Sequence, residues 1–82
     1  MITYTIKETK KAILKTIPIG TRISHANFEE MKWLVILNDG FNRQGWLTEQ
    51  TFFSALGLLR EDETVVRHRN SLTRERFWVR VK

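Results

Sequence analysis

The chain has 82 residues, of which 41% are apolar and 28% charged, and it contains no cysteine. That composition fits one ordinary globular domain and excludes a disordered chain, a disulfide framework, a thiolate metal site and a thiol nucleophile. The net charge of +5 is unevenly placed: residues 1–24 sum to +4, residues 25–63 to −4 and residues 64–82 to +5. Basic ends around an acidic middle point to a polyanion partner, of which nucleic acid is the commonest. The plainer alternative is a set of solvated charged faces with no partner.

Residues 2–6, Ile-Thr-Tyr-Thr-Ile, alternate strictly and are all β-branched or aromatic. They predict a strand with Ile2, Tyr4 and Ile6 on one face. From Lys7 the period changes. Ile6, Ile13 and Ile17, with Leu14 beside them, predict an amphipathic helix whose other side carries Lys7, Lys11 and Lys15. Like charges at that spacing repel by a few tenths of a kcal/mol per pair, a cost that a phosphate backbone would relieve. Pro18 and Gly20 end this helix, and Thr21-Arg22-Ile23 is a short extended step.

Ser24 reads as an N-cap for a helix over residues 25–38. Phe28, Met31, Trp33, Leu34, Ile36 and Leu37 make that helix apolar on most sides, which predicts deep burial. Val35-Ile36-Leu37 running into Asn38-Asp39-Gly40 is compatible instead with a strand entering a hairpin. Residues 41–45 form a loop and Trp46-Leu47 an extended step. Thr48 is a second cap, opening a short helix that ends near Leu56 with Gly57 as the residue after its last turn. Arg60-Glu61-Asp62 is a turn. The last segment alternates, with Phe77, Val79 and Val81 on one face and Trp78, Arg80 and Lys82 on the other, and is a strand. Trp78, between Arg76 and Arg80, either stacks on an unpaired base or packs into the core.

Residues 27–82 resemble a winged helix-turn-helix module. The resemblance is carried by Phe28-Glu-Glu-Met-Lys-Trp-Leu-Val-Ile-Leu-Asn-Asp-Gly40, by Gly45-Trp-Leu, by Thr48-Glu-Gln-Thr-Phe-Phe-Ser-Ala-Leu-Gly-Leu58, and by Thr64-Val-Val-Arg-His-Arg-Asn-Ser-Leu72 with the terminal strand. It implies an α+β fold: a small winged-helix-like domain of three to four helices with a short antiparallel sheet. Residues 1–82 then form a single domain, with the N-terminal strand and basic helix in 1–24 and the winged-helix-like part in 25–82. In one register, residues 64–74 are the recognition helix, held to the core by Val65 and Leu72. Arg67, Asn70, Ser71 and Arg74 then face the major groove as base readers, with Arg suited to guanine and Asn to adenine. In a second register, residues 64–70 and 74–81 are the two strands of an arginine-loaded wing, and the helix from Thr48 is the recognition element. In either register Lys7, Lys11, Lys15, Arg69, Arg76 and Arg80 are phosphate-binding candidates. Both require folding to bring the two cationic ends onto one continuous surface.

Nothing in the sequence predicts catalysis, a metal or another cofactor. His25 and His68 have no ligand-spaced partners, Ser24 and Ser71 lack a nucleophile elbow, and there is no phosphate-cradling glycine loop. No signal-peptide pattern or bilayer-length apolar run is present, so a cytoplasmic chain without a membrane partner is expected. The expected function is non-catalytic double-stranded DNA binding by a monomer or homodimer. By analogy, a small basic module of this kind resembles phage- or plasmid-type transcription or recombination regulators. Two rivals are a protein-binding inhibitor that docks on a host nucleic-acid-handling enzyme, and an RNA-binding regulator.

Overall fold

The four residues Thr5-Ile-Lys-Glu8 decide how the chain begins. The Thr5 hydroxyl accepts the Glu8 N–H at 3.1 Å, and the Glu8 carboxylate accepts the Thr5 N–H at 3.3 Å. This capping box satisfies two otherwise orphaned donors and starts helix α1 (Ile6–Thr16). The computed structural model describes residues 4–38 and 47–82. The strand expected over residues 2–6 is therefore corrected where it is described: Tyr4 and Thr5 lead into the helix and Ile6 is its first residue. Ile2 lies outside the described residues.

α1 buries Thr9, Ala12 and Ile13, while Ile6 and Leu14 are exposed. Thr9 is tolerated in the core because its hydroxyl donates to the Thr5 carbonyl at 2.8 Å. The helix stops as expected before Pro18, and Gly20 adopts a positive φ of 90°. There its N–H donates to the Arg80 carbonyl at 2.6 Å, which brings strand β1 (Arg22–Ile23) beside the last strand.

Asn27 organises the next entry. Its side-chain oxygen accepts the Ser24 N–H at 2.7 Å and its amide donates to the Arg22 carbonyl at 2.8 Å. Ser24 is thus capped rather than capping, and α2 (Phe28–Asn38) starts later than expected. The hairpin alternative for residues 35–40 is overturned through Asn38; Asp39 to Trp46 lie outside the described residues. α2 buries Phe28, Met31, Val35 and Ile36 but leaves Trp33 48% and Leu37 74% exposed, so its expected deep burial holds for one face only.

Thr48 caps α3 (Glu49–Glu61), its hydroxyl accepting the Thr51 N–H at 3.2 Å. The helix does not end at Gly57. Phe52, Ala55, Leu56 and Leu59 continue one buried stripe past it, and packing against α1 outweighs the glycine's preference for a terminus. Arg60 and Glu61 are therefore helical, and Asp62 is the C-cap, with Lys10 of α1 2.5 Å from its carboxylate.

The recognition helix expected over residues 64–74 is not formed. β2 (Val65–Arg69) and β3 (Arg76–Arg80) pair antiparallel, Val65 opposite Arg80 and Arg69 opposite Arg76. Of the second register, the pairing of the two strands is what is observed. β1 adds to the free side of β3, giving sheet order β1-β3-β2. The described chain is a small α+β domain of three helices and a three-stranded antiparallel sheet. Its core joins Ile13 and Ile17 of the α1 region, Val35 of α2, Phe52, Leu56 and Leu59 of α3, and Ile23 and Val65 of the sheet. Among the described residues no helix is long and apolar enough to cross a membrane.

Candidate nucleic-acid interface

Strand register sets the charge pattern of the hairpin. Residues directly opposite in an antiparallel ladder share a face. Val65, Arg67 and Arg69 therefore share one face with Arg80, Trp78 and Arg76, and Ile23 joins them opposite Trp78. Val65 and Ile23 are buried, so this is the face turned to the helices. Near the core it holds Trp78, which packs on Phe53 of α3 with ring centroids 5.1 Å apart. The indole is thus used for packing, and Arg67 lies over it at 5.7 Å. Towards the hairpin tip the same face carries only Arg67, Arg69 and Arg76.

Arg60 of α3 meets these three arginines. Together with His68 they line one open cleft of about 260 Å³, and no acid lies among its lining residues. All four arginines are exposed. Solvent and salt screen their repulsion, with a Debye length of about 8 Å at physiological ionic strength. The cleft can therefore exist without a partner and still gain from one. A phosphate reaching it would meet planar fork donors suited to its oxygens and would release condensed counterions from a nucleic acid.

The solvent face of α3 differs in character. Gln50, Ser54, Gly57, Leu58 and Glu61 are exposed and include no cation. A second opening on that side is lined by Ser54, Gly57, Leu58, Arg60 and Glu61. Arg60 thus stands between this helix face, which carries Glu61 and no cation, and the cationic hairpin. Sequence reasoning missed it by reading residues 60–62 as a turn. The signal was present: extending the Phe52–Leu56–Leu59 stripe makes Arg60 helical.

The other expected site residues are placed differently. Asn70, Ser71 and Arg74 sit in the hairpin tip, not on a helix face with Arg67. The Asn70 side-chain oxygen accepts the N–H groups of Leu72 at 2.9 Å and Thr73 at 3.3 Å, which commits it to the turn. Arg80 is a structural clasp. Its guanidinium donates to the carbonyls of Leu14, Ile17 and Lys82. Lys7, Lys11 and Lys15 are exposed on α1. At about 3.6 residues per turn, Lys7 and Lys11 lie opposite the buried Thr9–Ala12–Ile13 face. They point away from the core. The acidic run Glu61-Asp62-Glu63 spans the end of α3, where Asp62 engages Lys10. The structure therefore gathers Arg67, Arg69 and Arg76 beside Arg60.

No family model matches the chain, and no curated protein or solved structure matches it. What the cleft can bind follows from its own chemistry.

The surroundings of His25 give it a structural role. Its ring stacks on Phe53 at 3.9 Å between centroids, and its Nδ1 lies 2.6 Å from the Glu49 carboxylate. It ties the loop before α2 to the first turn of α3. On the opposite sheet face Arg22 lies 3.7 Å from the Phe77 ring centre and His68 stacks on that ring. Among the described residues no group of three or more His, Asp or Glu side chains is arranged to hold a metal.

Proposed function

We propose that this chain is a non-catalytic, double-stranded DNA-binding protein of the winged helix-turn-helix type, with the β2–β3 hairpin as its wing. The element order supports this reading: helix, strand, helix, helix, then two strands, with the short first strand on the outer side of the last. In that arrangement α2 and α3 are the helix-turn-helix pair, and α3 and the wing face the duplex together. The observation that carries the proposal is the cleft between them, lined by Arg60, Arg67, Arg69 and Arg76 with no acid. The wing supplies three of the four arginines and α3 only Arg60, so most of the affinity comes from phosphate contacts by the wing, with weak sequence preference.

Small basic modules of this kind act as transcription or recombination regulators of phages and plasmids, and we assign that role by analogy. A second reading, docking on a host protein, draws on the exposed Trp33 and Leu37 of α2.

A mobility-shift assay with a random-sequence duplex separates the readings. The proposal predicts binding that is lost in Arg60→Ala/Arg69→Ala and retained in Lys7→Ala/Lys11→Ala. Equal competition by single-stranded RNA would shift the assignment to RNA. No retardation of the duplex at low salt would remove the DNA reading and leave the protein-docking one.

A further inference from the structure

The hairpin ends in a feature that folding does not explain. Leu72 is 92% exposed, more than any other large apolar residue described. It is held out on an ordered loop. Asn70 accepts the Leu72 N–H through its side chain and the Arg74 N–H, at 2.7 Å, through its carbonyl. The Asn70 N–H closes the loop onto the Glu75 carbonyl at 2.8 Å. Arg74 completes the turn with a φ of 60°, a conformation that L-residues other than Asn and Asp rarely take. A glycine would fit this turn with less strain, but the chain places a cation there. The tip thus presents one leucine among Arg69, Arg74 and Arg76, with Glu75 as its single acid.

We propose that Leu72 is an apolar wedge that enters the minor groove of duplex DNA at a base step, with Arg74 as the accompanying groove cation; this rests on the DNA-binding reading above. The dimensions favour the minor groove for the tip. A two-stranded ribbon is too wide for a groove of about 6 Å, but single side chains from a turn fit it. Narrow A·T-rich minor grooves concentrate negative potential that attracts arginine. Apolar side chains at such sites pry apart adjacent base pairs and kink the duplex. A leucine on a cationic, hydrogen-bonded turn combines both requirements.

The test uses the full chain and a short alternating A·T duplex with 2-aminopurine in place of some adenines. Binding of the wild-type protein should raise the 2-aminopurine fluorescence, because wedging unstacks the base. Leu72→Ala should abolish that rise and weaken binding roughly tenfold, while Leu72→Met retains it. Leu72 contributes nothing to the core, so the variants should unfold at the wild-type denaturant midpoint. If Leu72→Ala binds and brightens the probe like wild type while Arg69→Ala loses affinity, the wedge is refuted and DNA binding stands. If the wild-type protein does not bind the duplex, both proposals fall together.

Discussion

The guanidinium of Arg80 donates to the carbonyl of Leu14 at 2.9 Å and also to that of Ile17, so the last strand closes the open end of the first helix. A helix terminus leaves carbonyls without partners, and a cation there also complements the helix dipole. Arg80 is half-buried and forms part of the scaffold. Arg80→Ala is expected to destabilise the domain by about 1–3 kcal/mol, since charge-assisted hydrogen bonds are lost and carbonyls left unpaired. Arg80→Lys should recover only part, because one ammonium cannot reproduce the fork geometry. Urea unfolding of the three proteins measures this. An unchanged midpoint for Arg80→Ala would assign the residue to the surface instead.

Gly57 offers a stability gain. It lies inside α3, and a Cβ built there meets no atom within 4 Å. A helix-interior glycine costs about 0.5–1 kcal/mol relative to alanine. Gly57→Ala should therefore stabilise the fold by that amount in denaturant titration. A loss of stability would mean that α3 is not helical through this position.

Arg74→Gly separates folding from binding. At a φ of 60° arginine is strained, and glycine relieves about 1 kcal/mol, offset in part by its greater unfolded-state entropy. Stability should hold or rise slightly while duplex affinity falls. The salt slope of binding should drop by about one unit if Arg74 meets a phosphate. Thermal unfolding and fluorescence anisotropy on the same samples report the two effects.

The capping box at the start of α1 makes a fourth prediction. Thr5→Ala removes the acceptor for the Glu8 N–H and should cost about 1 kcal/mol. Thr5→Ser, which keeps the hydroxyl, should cost much less in the same unfolding assay.

The parts legible in the sequence were those fixed by local chemistry. Thr48 capped a helix because a hydroxyl ahead of an apolar stripe satisfies free amides, and Pro18 and Gly20 stopped one because neither continues a helix easily. α2 followed from its apolar residues. The misreadings arose where a local signal met a non-local one. The alternation of residues 2–6 suggested a strand, yet the Thr5–Glu8 box begins a helix within the same residues. Gly57 reads as a terminus in isolation, but Leu59 is buried beyond it and carries α3 onward. Val65 and Leu72, seven apart, suited a helix face. Pairing with residues 76–80 instead made Val65 a core strand residue and put Leu72 at the tip. Arg60 joined the cleft only because the hairpin folds back beside α3, a relationship that no spacing within the chain encodes.

On the DNA-binding proposal, the cleft of Arg60, Arg67, Arg69 and Arg76 engages a DNA backbone. Anisotropy of a labelled random duplex, titrated with wild type and with Arg67→Ala/Arg69→Ala/Arg76→Ala over a series of salt concentrations, tests it most directly. Wild-type affinity should fall steeply with salt, and the variant's slope should be shallower by about 0.9 for each phosphate contact removed. Identical slopes for the two proteins, or wild-type affinity indifferent to salt, would contradict it.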